Sequence, residues 1–283
     1  MTKAARHVPP TIVIGLGNPI LGDDGVGFHV AQALRPLLDE RKAKVVEACV
    51  GGLRLLEVLA GHQRAILVDA IQLGGEVGQI YRLSPEQFRG SLRAASPHDA
   101  GLPEALALGA QLGQQMPAEV IIFGIEAVQV SEFGEELTPE VAAAVPQVVA
   151  MVLREVEPEI ITAIEADLRG ERLPCAAVFA VARQHGSAPR RVAALAEALD
   201  IRIGWCQLGL FADRHRDQKE PPEEHTIPAD LRAQIEQSLE EDRLPCARAW
   251  GIARRLGLER VEVGRAADAL GTPISRCQLG CFA

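Results

Sequence analysis

Residues 12–27 read Ile12-Val13-Ile14-Gly15-Leu16-Gly17-Asn18-Pro19-Ile20-Leu21-Gly22-Asp23-Asp24-Gly25-Val26-Gly27, and this stretch decides the fold. An apolar run, Thr11–Gly15, suits a buried strand. It enters a glycine-rich loop, and a helical pattern leaves that loop near Phe28. Strand, glycine-rich turn and helix together open a doubly wound α/β domain. Such turns often cradle phosphate at the helix N-terminus. Here the spacing is G-x-G-x-x-x-x-G, and two adjacent carboxylates stand where a pyrophosphate would sit. Anion beside anion is unfavourable, so the loop is expected to meet a cation. Carboxylate oxygens serve hard and borderline metals, often beside imidazole. A dinucleotide-binding oxidoreductase, with Glu47 as the ribose partner, is a distant alternative against which the same features count.

The alternation continues outward from the loop. Strand candidates are Thr11–Gly15, Lys44–Val50, Arg64–Ala70, Gly78–Leu83 and Glu119–Ala127. Most are continuous apolar runs, which suits a mostly parallel sheet buried on both faces. Helix candidates are Gly25–Leu38, Gly52–Gly61, Pro103–Gly113 and Pro139–Glu155. Pro103 and Pro139 fit a first helical turn, and Thr138 fits an N-cap. The reading is a doubly wound, mostly parallel twisted sheet with helices on both faces. Ligands of such sheets bind at the carboxyl ends of the strands.

Three candidate ligands fall at ends of elements. Asp23 or Asp24 lies in the glycine-rich turn, Asp69 ends the run Ala65-Ile66-Leu67-Val68-Asp69, and His98 sits in Ser96-Pro97-His98-Asp99-Ala100-Gly101. Each has a plainer reading. An Asp at a strand end often caps the next turn, and a loop His is usually solvated. One Asp of a pair commonly caps a helix. Asp23 is assigned a role of that sort, which leaves Asp24 for the metal. Two carboxylates and an imidazole suit a divalent transition metal with open positions. Cys49 has no identified His partner and reads as a buried small hydrophobe.

The segments GNPILGDDGVG, VDA, SPHDAGL and EFGEELTPEVAAAVPQVV resemble those of the hydrogenase maturation proteases, in the family's order, over residues 11–154. The resemblance implies an endopeptidase that removes a C-terminal extension from the large-subunit precursor of a nickel–iron hydrogenase. It implies that Asp24, Asp69 and His98 match the family's nickel-contacting positions. It also implies that nickel arrives already bound to the precursor and serves as the recognition handle. Whether the cation polarises the scissile carbonyl or a water, or Asp24 or Asp69 acts as general base, is left open. The alternative is a non-catalytic adaptor that binds the nickel-bearing precursor.

The 283 residues favour two domains, read as 1–155 followed by helical repeats at 156–212 and 226–283 around a linker, 213–225. Segments 166–212 and 237–283 align without gaps, with about 20 identical positions. Their spacing suggests a small all-α, helix-turn-helix-like module, with Gly186 and Gly257 at the turns. Arg190, Arg191, Arg260 and Arg265 lie near the second helices. The repeats are expected to recruit a protein, such as another maturation factor, rather than DNA, because acidic residues match or outnumber basic ones. A net charge of -9 argues likewise against general nucleic-acid binding. Cys175, Cys206, Cys246, Cys277 and Cys281 raise the prospect of zinc or an iron–sulfur cluster. The plainer reading, as buried small side chains, is favoured. Without an 18-residue apolar run or a signal-peptide pattern, a cytoplasmic protein is expected.

Overall fold

The computed structural model describes residues 9–49, 54–88, 102–210 and 226–282. The chain divides into two units, Met1–Pro158 and Glu159–Ala283.

The first unit is built on five strands: β1 (Thr11–Leu16), β2 (Ala43–Ala48), β3 (Arg64–Ile71), β4 (Ile80–Leu83) and β5 (Glu119–Glu126). Their order in the sheet is β2-β1-β3-β5-β4. The first three pairings are parallel, and β4 runs antiparallel to β5 at the edge. The apolar continuity of the sequence follows this order. Every residue of β1 is buried, as are the last seven of β3, whereas the edge strands β2 and β4 are only partly covered. Central parallel strands need two apolar faces, and edge strands do not.

Helices α1 (Val26–Leu34) and α4 (Pro139–Val156) pack together on one face, and α2 (Leu55–Leu59) and α3 (Leu102–Gln111) on the other. Alternate residues of each strand supply each face. Ile12, Ile14, Leu16 and Leu67 meet Leu55, Leu59 and Leu102 in one core. The intervening Val13, Ile66, Val68 and Phe123 are equally buried. Helices therefore cover both faces of the sheet, as the pattern predicted.

The second unit contains α5 from Glu159 onward (Pro158–Ala166), then β6 (Arg172–Pro174), α6 (Cys175–Gln184), α7 (Pro189–Ala198) and β7 (Arg202–Gly204). The same order recurs as α8 (Ala229–Gln237), β8 (Leu244–Pro245), α9 (Cys246–Leu256), α10 (Arg260–Ala269) and β9 (Ile274–Ser275). Two features go beyond the sequence reading. A leading helix belongs to each repeat, and each helical hairpin is closed by a two-stranded parallel sheet, β6–β7 or β8–β9. Gly186 (φ +60°) and Gly257 (φ +69°) turn the hairpins in the left-handed region. The expected linker 213–225 lies outside the described residues.

The repeats pack on one another reciprocally. Phe179 and Trp250, which are equivalent positions, place their ring centroids 4.5 Å apart at a 47° tilt. Arg260 sits 3.5 Å from the Trp250 centroid. Leu208 of the first repeat joins the core of the second. Cys175 and Cys246 are buried, and their sulfurs accept hydrogen bonds from Gln207 Nε2 (3.7 Å) and Gln278 Nε2 (3.5 Å). Burial pushes the Cys175 thiol up to about 11 and raises that of Cys246 as well.

Candidate functional site

The glycine-rich loop passes over the carboxyl ends of β1 and β3. The glycines at its two ends, Gly15 and Gly27, serve packing. A Cβ on Gly15 would lie 2.0 Å from Gly27 O, and one on Gly27 would lie 2.1 Å from Leu16 O and 2.5 Å from Val68 O. The start of α1 thus rests directly on the backbone of β1 and β3. No side chain fits between them, and no anion is required to explain Gly15 and Gly27.

Asp24 lies in the 3-10 turn Gly22–Gly25 just before α1 and is 6% exposed. Its Oδ2 accepts the Asn18 N–H at 2.8 Å. Asp69 is the sixth residue of β3, opposite Gly124 in β5, and is 1% exposed. Both carboxylates therefore belong to the carboxyl edge of neighbouring strands, the edge where ligands of open α/β sheets gather. Burying carboxylates is costly unless polar partners or a cation compensate. His98 lies outside the described residues. Among the described residues, no three His, Cys, Asp or Glu side chains form a metal-holding group. Of the three expected ligands, the described residues include Asp24 and Asp69.

Asp23 does different work. It is fully buried, and its Oδ2 accepts the N–H groups of Val128 (3.2 Å) and Gln129 (3.1 Å). Its Oδ1 accepts the Thr138 N–H (2.7 Å) and hydroxyl (2.9 Å). Thr138 does occupy the N-cap position of α4, but its hydroxyl donates to Asp23 instead of capping the helix. Asp23 thereby fastens the β5–α4 loop to the loop carrying Asp24. Replacing Asp23 with Ala is expected to destabilise the protein by about 3 kcal/mol, because several buried donors lose a charged acceptor. Urea unfolding measures this, and a loss below about 1 kcal/mol would remove the fastening role.

Sequence reasoning missed Glu126, the last residue of β5. It is 4% exposed, and its carboxylate accepts the N–H groups of Leu73 (3.0 Å) and Gly74 (2.9 Å). The signal was the one that drew attention to Asp69, a carboxylate closing a buried apolar run.

Open α/β sheets with polar groups buried at the carboxyl edge form a broad class, and comparison with known proteins narrows it. Residues 28–155 match the sequence model of the hydrogenase maturation protease family. The chain is 30% identical over 136 residues to protein FrxA of Pyrococcus furiosus, covering 47% of this chain and 95% of that one. It is 26% identical over 151 residues to hydrogenase expression/formation protein HupD of Thiocapsa roseopersicina, covering 52% and 68% respectively. Among solved structures it resembles the hydrogenase maturating endopeptidase HybD of E. coli (26% identity, TM-score 0.42, covering 52% of this chain and 93% of that one). The chain belongs to the hydrogenase maturation protease family, a family of peptide-bond hydrolases, through its first unit.

Proposed function

We propose that the protein is an endopeptidase that trims a C-terminal extension from the nickel-loaded large-subunit precursor of a nickel–iron hydrogenase. Family membership supports processing of that subunit. The observation that carries the finer reading is the pair of buried carboxylates, Asp24 and Asp69, at one carboxyl edge of the sheet. Their chemistry fits nickel, which accepts oxygen and imidazole donors. Nickel here is cargo of the substrate. Asp24 and Asp69, with His98 as the imidazole, complete the coordination of an ion already held by the precursor. The ion supplies Lewis acidity beside the scissile bond. A chain offering only part of a coordination shell has no need to hold nickel tightly by itself.

The test is mass spectrometry of the large subunit co-expressed with and without this chain, in nickel-replete and nickel-depleted cells. The expected result is loss of a C-terminal peptide only when both chain and nickel are present. A precursor that binds this chain yet stays full-length would make the protein an adaptor. Equal trimming without nickel would remove the metal as handle.

A further inference from the structure

Apolar side chains left in water are informative when they cluster. Among the described residues the exposed large hydrophobics are Ile20, Leu73, Val77, Leu112, Val128 and Phe133. Five of these stand on three loops. Ile20 follows β1, Leu73 and Val77 follow β3, and Val128 and Phe133 follow β5. In a parallel sheet, loops that follow strands leave from the carboxyl edge, so these five share an edge with Asp24 and Asp69. Leu112, beyond the end of α3, is the exception.

The three loops are fastened together. Asp23 holds residues 128, 129 and 138 against the loop of Ile20, as described above. Gly134 N donates to Ile20 O (3.0 Å), Gly22 N donates to Gly134 O (2.6 Å), and Leu21 and Gly134 form a parallel bridge. Glu126, at the end of β5, grips the backbone of Leu73 and Gly74. Buried carboxylates thus fix the loops whose tips carry apolar side chains outward. Phe133, 87% exposed, is the extreme case. Holding such side chains in water is unfavourable unless a partner covers them.

The charge of this rim is one-sided. Glu76, Glu132, Glu135 and Glu136 are exposed on the same loops. Residues 17–25, 72–79 and 127–138 contain no Lys or Arg. An acidic surface carrying aromatic and aliphatic side chains complements a segment that is itself apolar and basic. We propose that Ile20, Leu73, Val77, Val128 and Phe133 form a docking rim for an apolar, basic segment of the precursor protein next to its scissile bond. The inference rests on the proposed endopeptidase reading and adds the surface by which it selects a substrate.

The test measures binding of purified precursor to the full chain, with trimming followed in parallel. Phe133→Ser combined with Val128→Ser is expected to weaken binding at least about tenfold, since buried aromatic anchors carry much of an interface. Glu132→Gln with Glu135→Gln and Glu136→Gln is expected to weaken it and flatten its salt dependence. Leu112→Ser, outside the rim, is expected to bind as wild type does. Circular dichroism establishes that the variants fold. If trimming proceeds and the rim variants bind like wild type, the rim is wrong and the endopeptidase reading stands. If wild type binds through the rim but never trims, the endopeptidase reading falls and the rim stands. Absence of any binding by wild type overturns both.

Discussion

Asp24→Asn is expected to lower the rate of precursor trimming by at least about 100-fold while leaving the fold intact. The exchange is nearly isosteric. Asn keeps a side-chain oxygen, so the hydrogen bond from Asn18 N–H to that position survives. What disappears is a negative charge at the carboxyl edge, and with it a carboxylate ligand or base. Melting temperature should therefore stay near that of wild type while processing fails. Asp69→Asn should behave in the same way, since Asp69 is buried at the neighbouring strand. The loss should fall mainly on kcat if the carboxylate acts in the transition state, and on KM if it mainly holds the incoming cation. Trimming at the wild-type rate by both variants would end the assignment of this edge as the working site.

The parts legible in the sequence were those governed by local rules. Ile12–Ile14, Ala65–Val68 and Ile121–Ile125 are continuous apolar runs, and they became the three central strands because a doubly covered strand requires that composition. Asp69 was noticeable because a carboxylate ending such a run contradicts the burial around it. Glu126 has the same signature at the end of β5. It is masked in the sequence because the apolar run continues through Ala127, although the strand ends at Glu126. The separate duties of Asp23 and Asp24 were only partly legible. Adjacent residues of one type gave no local reason to say which faces the β5–α4 loop, 105 to 115 positions away. In the second unit, identity revealed the hairpins but not α5 and α8. Of their buried packing positions only Ile164 and Ile235 are identical, while Ile160 and Leu231 keep apolar character without identity. The closing strands are only two or three residues long, too short to show a period of two. The rim is not legible in the sequence, because exposure of Phe133 depends on which loops are fastened to which, a fact of tertiary structure.

The second large effect is expected at a residue with no chemistry of its own. Gly27→Ala should abolish the native fold of the first unit or leave it unfolded at ordinary temperature. The added methyl would stand 2.1 Å from Leu16 O, 2.5 Å from Val68 O and 2.7 Å from Leu16 N. All three are backbone atoms of the central strands, so no side chain can swing aside to relieve the clash. Overpacking against mobile side chains costs about 1–3 kcal/mol, and rigid backbone exceeds that range. Against a total stability of roughly 5–15 kcal/mol, such a loss is a large fraction. The alternative to unfolding is for α1 to lift from β1 and β3. That movement would carry the 3-10 turn with it and separate Asp24 from the edge that holds Asp69. Either way trimming is lost, but the cause differs from that in Asp24→Asn. Gly27→Ala should show a lowered urea midpoint and raised protease sensitivity, whereas Asp24→Asn should show neither. A Gly27→Ala protein with wild-type stability and wild-type activity would mean that the close approach of α1 to the sheet is not what positions the site.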